Sequence, residues 1–209
     1  FEDVNITTRK ADSEDRLDLL VDVKEASTGS FSAGAGISSG ENFLFNVRLS
    51  EINLFGRGQR LILNVDFGQL RQNFSVDFTE PYFLDTELTL GVSLYKSRFF
   101  FDQFTRGGTG AALRFLYPFT ALGLSDVIGY SLEDTRIGLE YRIEQADISG
   151  VDTTAPTIIQ TEQGKSLTSS LTPRLFRDTR SHPFDPTSGS MQDLSFEWAG
   201  LGGKSQFLK

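Results

Sequence analysis

The chain has 209 residues and a net charge of −8, with acidic and basic residues interspersed and no cysteine. A disulfide framework, a thiolate metal site and a nucleic-acid footprint are thereby excluded, and without a run of about 18 apolar residues so is a transmembrane helix. A transmembrane barrel is not: only 38% of residues are apolar, yet 19 are phenylalanine, so the apolar residues must be placed sparingly, on surfaces.

The chain opens FEDVNITTRK, with neither an initiator Met nor a charged-then-apolar leader, and reads as an internal piece of something larger. Phe1 to Thr8 and Leu17 to Glu25 are predicted strands joined by the polar turn RKADSEDR, with charged flanks and no aromatic girdle, as expected of a segment in water. Next comes STGSFSAGAGISSG, in which Phe31, Ala33, Ala35 and Ile37 alternate with Ser30, Ser32, Gly34, Gly36 and Ser38. The period is that of a strand, but a weak one, because glycine costs backbone entropy and packs nothing.

From there NVRL, LILNVDF, FSVDF, ELTLGVSLY, ALRFLY, TRIGLEYRIEQ, SLTSSLTPRLF and DLSFEWA all alternate, and SQFLK begins another run. In TRIGLEYRIEQ, Ile137, Leu139, Tyr141 and Ile143 share one face and Arg136, Glu140, Arg142 and Glu144 the other. Alternation alone fits a soluble β-sandwich as well as a barrel. Strand lengths near one bilayer crossing favour the barrel, as do aromatics at strand ends: Phe55, Tyr82, Phe83, Phe99 to Phe101, Tyr117, Phe119 and Phe184. Connections fit partly, since TALGLSDVIGYSLE and TRSHPFDPTSG are long for periplasmic turns. A lipid-facing Arg or Lys at the midplane costs about 2–4 kcal/mol, so the charged faces are expected to point inward.

In order, FEDVNITTRKADSEDRLDLLVDVKE, TGSFSAGAGISSGENFLF, INLFGRGQRL, FTEPYF and RDTRSHPFDPTSGS resemble the BamA family of outer-membrane assembly factors along the whole chain. The fold class this implies is all-β: a partial transmembrane antiparallel β-barrel of nine or ten strands, residues 28–209, the N-terminal half of the barrel. Residues 1–27 then correspond to the end of the last POTRA (polypeptide-transport-associated) domain. Individually the motifs have plainer readings: Gly56 and Gly58 permit positive φ in a hairpin, and Pro81 ends a strand. The family's Val-Arg-Gly-aromatic signature and its closing strand have no counterpart here.

The resemblance implies a central component of a machinery that folds and inserts β-barrel proteins, located in the outer membrane with its POTRA part in the periplasm. Its partners would be client outer-membrane proteins, accessory lipoproteins and the bilayer. The first barrel strand, Gly29, Ser30, Phe31, Ser32, Ala33, Gly34, Ala35, Gly36 and Ile37, would be the edge that pairs with a client strand, its weak packing easing release and re-pairing. Arg180, Pro183, Phe184, Pro186 and Gly189 would form an ordered periplasmic turn. An isolated fragment is expected to satisfy its open edges by closing on itself or pairing with a second copy. A related POTRA-barrel translocase, of the two-partner secretion or TamA-like kind, is the alternative; a porin-like channel and a soluble adhesion sandwich stand further off. No enzyme, cofactor or metal is expected: the single histidine, His182, cannot build a triad or a histidine-rich metal centre, and Glu140 and Glu144 share their face with Arg136 and Arg142.

Overall fold

A computed structural model of the chain describes residues 2–10, 17–39, 42–124, 126–127, 130–182, 185–203 and 206–209. Strands β1 (Asp3–Lys10) and β2 (Leu17–Lys24) pair antiparallel in a sheet of their own, from Asp3 opposite Lys24 to Lys10 opposite Leu17. The linking turn lies mostly outside the described residues.

The rest of the chain is dominated by one antiparallel meander. It runs through β3 (Gly29–Ser38), β4 (Asn42–Leu54), β5 (Gln59–Gly68), β6 (Arg71–Glu80), β7 (Thr89–Phe101) and β8 (Phe104–Pro118). The short pair β9 (Asp126–Val127) and β10 (Tyr130–Ser131) stands apart, and β11 (Thr135–Ser149) and β12 (Gly164–Asp178) resume the meander. It ends in β13 (Met191–Ser195), β14 (Trp198–Gly203) and β15 (Phe207–Leu208). Each alternating segment named above lies in this sheet, and Gly56 and Gly58 do take positive φ, 73° and 70°.

The run DLSFEWA is broken, and Pro173 accounts for it. Its carbonyl accepts from Phe196 N–H at 3.1 Å, so its ring nitrogen, which carries no hydrogen, faces the β13–β14 segment as well. The ladder loses a donor there, and β13 and β14 separate at Phe196 and Glu197; Glu197, whose backbone groups face away from β12, exchanges bonds of 2.9 and 3.0 Å with Lys209 on the other side, continuing the β14–β15 pairing.

The two faces of the sheet are chemically opposite, as the alternation predicts. On the face a closed barrel turns inward, Arg48 bonds Asn64 at 3.0 Å, Asn64 bonds Ser75 at 3.1 Å and Ser93 bonds Asp77 at 2.7 Å. Arg114 and Arg142 both hold Glu140, at 2.9 and 2.7 Å, and Arg174 pairs with Asp193. Tyr95 donates to Glu144 at 2.6 Å, its ring lying across Gly110, where a Cβ would come within 2.5 Å of the phenol oxygen. Glycine opposite an aromatic lets the ring lie flat on the backbone.

On the other face, Leu49 is level with Leu63, Val76, Leu94, Ala111 and Ile143 through five successive registers. Leu49 ends the apolar stripe of β4 on its turn side, before Glu51, whereas Leu94 and Ile143 end the stripes of β7 and β11 on the opposite side, before Lys96 and Gln145. The apolar belt therefore crosses the hydrogen-bond rows diagonally, the stagger that tilted barrel strands require.

The sheet stays open: β3 and β15 lie at its two ends, unpaired with each other among the described residues. Closure of the fragment on itself as a smaller barrel, one of the two expected outcomes, is therefore not what the structure shows. The long connection 150–163 carries a short helix, α1 (Thr157–Thr161), and docks on the β7–β8 turn through Asp152 N–H to Gln103 O at 2.8 Å.

Two outcomes follow. Tyr95→Phe should lower unfolding stability by about 2 kcal/mol, the scale of a hydrogen bond to a charged group, as measured by denaturant titration in detergent. In the docked loop, the N–H and hydroxyl of Thr154, at 2.8 and 2.7 Å, hold the Asp152 carboxyl below its ordinary value. A depressed acid stabilises the folded loop above the unfolded-state pKa and loses that effect as pH falls through the folded one. Hydrogen-exchange protection of residues 152–155 should therefore drop on acidification below the usual carboxylate range, and Asp152→Asn should abolish the dependence.

Candidate functional site

The first barrel strand has one partner. β3 pairs with β4 from Gly29 opposite Glu51 to Ser38 opposite Asn42, and with no other strand among the described residues. In an antiparallel pair alternate residues direct their N–H and C=O away from the partner, so the free side of β3 presents a row of unused donors and acceptors.

Register assigns its two faces. Phe31, Ala33, Ala35 and Ile37 lie opposite Leu49, Val47, Phe45 and Phe43 on the apolar face; Ser30, Ser32 and Gly34 lie opposite Ser50, Arg48 and Asn46 on the polar one. Only two bulky side chains hold the apolar face, and both stand out: Phe31 is 70% and Ile37 90% exposed. The strand is held to the sheet by its β4 ladder with little side-chain packing.

The two glycines differ in a way alternation does not reveal. A Cβ on Gly34 would meet Asn46 Oδ1 at 2.4 Å, so the Asn46 side chain already covers that position; at Gly36 nothing lies within 4 Å. Gly29 resembles Gly34, with Glu51 Oε2 at 2.9 Å from a Cβ placed there. Asn46 and Glu51 are thus neighbours of the edge that sequence reading missed, because period-two patterning carries no register.

The second predicted group lies toward the other end of the sheet order, between β12 and β13. Pro183 and Phe184 lie outside the described residues. Around them the chain prolongs the hairpin: Thr179 N–H donates to Ser190 O at 2.9 Å, and Ser181 N–H to Ser188 O at 3.0 Å. The Ser181 hydroxyl accepts from Thr187 N–H at 3.1 Å, His182 Nδ1 accepts from Asp185 N–H at 3.2 Å, and Arg180 pairs with Asp178 at 2.8 Å. Gly189, at φ +87°, is obligatory, since a Cβ there would lie 2.0 Å from Thr179 O. Pro186 sits in this turn without a ladder bond to lose. Among the described residues no backbone pairing brings this turn to the β3 edge.

With an open antiparallel sheet, diagonal belt and free first strand in place, the comparisons are decisive. Residues 53–209 match the model of the Omp85 superfamily domain. The chain belongs to the Omp85 superfamily. Across all of its length it is 31% identical, over 211 residues, to outer membrane protein assembly factor BamA of Nitratidesulfovibrio vulgaris, and 31% identical to the BamA of Neorickettsia risticii. It spans 25% and 27% of these relatives, about a quarter of their length. The crystal structure of BamA from Haemophilus ducreyi lacking POTRA domains 1-3 shares the fold, with a TM-score of 0.67 at 20% identity over 97% of this chain and 40% of that one.

For this Omp85 chain, Gly189→Ala should cost about 2–4 kcal/mol, combining left-handed strain with the clash on Thr179 O. Limited proteolysis should cut the turn at 179–190 faster in that variant, whereas Gly36→Ala, with open space around it, should leave stability within about 0.5 kcal/mol.

Proposed function

We propose that this chain is the first part of the barrel of an outer-membrane protein assembly factor, and that the free edge of β3 receives the terminal strand of a client barrel protein. Residues 28–209 form that barrel wall, and residues 1–27, the β1–β2 hairpin with a polar linking turn, are the end of the preceding periplasmic POTRA domain. The clients are unfolded outer-membrane barrel proteins, with lipoproteins assisting on the periplasmic side. The relatives' names supply the class of activity; the unpaired β3 edge supports the mechanism.

The physics is strand addition. A client strand that pairs with β3 satisfies its own N–H and C=O groups before it enters hydrocarbon, where each unsatisfied group costs several kcal/mol. Main-chain bonds are common to all clients, so affinity need not depend on sequence. Release is eased because β3 contributes two exposed bulky side chains and otherwise methyl groups, hydroxyls and hydrogens. No bound nucleotide is required, since the free energy of client folding drives the exchange.

Gly36→Val tests this cleanly. No atom lies within 4 Å of a Cβ placed there, while a β-branched residue stiffens the strand by up to about 1 kcal/mol. In the full-length protein reconstituted into liposomes, client insertion should slow about fivefold with the barrel still folded by heat-modifiable migration. Normal insertion by a normally folded variant would contradict the proposal; a client secreted across the bilayer without being inserted would favour the translocase.

A further inference from the structure

Arg48, Arg114, Arg142 and Arg174 have the polar-face parity, as the inward rule requires. Lys165 and Arg177, at the two ends of β12, depart from it, and so do two cations on β7. Lys96 lies opposite Phe74 and Thr109, and Arg98 opposite Gln72 and Gly107, all on the apolar-face parity that carries Leu90, Val92 and Leu94 just below. Both are exposed, and neither makes an ion pair among the described residues.

Their height explains how they can be there. From Leu88 to Arg98 is about one tilted crossing, so Lys96 emerges at the rim of the belt and Arg98 lies beyond it. Their neighbours change with them: the row through Lys96 continues to Gln145, and the row through Arg98 to Asp147. The intervening Gly107 and Thr109 on β8 are small, and a Cβ on Gly107 would touch only backbone atoms and the Asp147 Cβ, at 3.8 to 3.9 Å. Above three apolar residues there is thus a shallow polar step: Lys96 and Arg98 on one side, a floor of small residues, and Asp147 two strands away with Lys165 opposite it.

We propose that Lys96 and Arg98 bind the phosphate-bearing headgroup of a membrane lipid at the loop end of the barrel. The lipid's chains lie along Leu90, Val92 and Leu94, and its phosphate takes the Lys96 ammonium and the Arg98 guanidinium, the latter through paired N–H donors. Gln72 and Gln145 flank the headgroup as further donors. The inference rests on the membrane-spanning reading above, because it needs the belt to lie in hydrocarbon.

The test uses the full-length protein in nanodiscs, with a single fluorophore on Thr109→Cys at the step or on Leu113→Cys in the belt. Quenching by a brominated phosphate-monoester lipid is compared with that by a brominated zwitterionic lipid at equal mole fraction. At the step the anionic lipid should quench about threefold or more better at low salt, the preference fading at about 0.5 M salt and persisting in millimolar inorganic phosphate. Lys96→Gln with Arg98→Gln should abolish it. At Leu113 the two lipids should quench equally. Equal quenching at Thr109 in the wild type, with Leu113 quenched normally, would overturn the inference and leave two cations that merely extend into water; displacement by free phosphate would overturn it in favour of a soluble anion. Absence of quenching at Leu113 by either lipid would remove the spanning reading itself.

Discussion

Every feature of this chain depends on one constraint: a backbone amide that cannot reach water must find another amide. The constraint fixes the sheet as an antiparallel meander from β3 to β12, and it bears on the place where β13 and β14 part. At Pro173 a donor is missing from the ladder, and opposite it β13 and β14 separate at Phe196 and Glu197. The same constraint gives β3 its interest, because its outer row of N–H and C=O groups has no partner among the described residues. A conventional strand buried between neighbours has nothing to offer an incoming chain, whereas this one carries an incomplete ladder.

The side chains divide the remaining work by face. The polar face is cross-linked by charge-assisted bonds, with Glu140 between two arginines and Tyr95 laid over Gly110 to reach Glu144. These tie the strands in the middle of the wall to one another. Toward β3 the cross-links thin out: Asn46 covers Gly34, and beyond it Gly36 faces open space. Side-chain cross-links thus become fewer toward the strand proposed to exchange partners.

Much of this was legible in the sequence because a period of two is a direct physical signature. TRIGLEYRIEQ displays its faces without any structure, and a barrel-wall reading needed only the lengths and the aromatic ends. Pairing information was not legible. That Gly34 is covered and Gly36 is not depends on which residue of β4 stands opposite. The break in DLSFEWA depends on Pro173, more than twenty residues earlier, and the docking of Asp152 on Gln103 depends on a contact between two loops. Lys96 and Arg98 were hidden differently: alternation places them on the apolar face, and only the diagonal course of the belt shows that they stand above it. The turn after β12 was legible in kind, since its serines, threonines and Gly189 are turn-forming residues, although the 2.0 Å approach that makes Gly189 obligatory needed coordinates.

The central claim is that a client strand pairs with the free side of β3. Site-by-site disulfide trapping measures this most directly: single cysteines at positions 30 to 38 of the full-length protein, matched against single cysteines along the terminal strand of a stalled client. The account predicts crosslinks along the whole strand in one antiparallel register, each step forward on β3 matched by one step back on the client. Crosslinks confined to the far face of the wall, or none at β3 while the client still inserts, would contradict it.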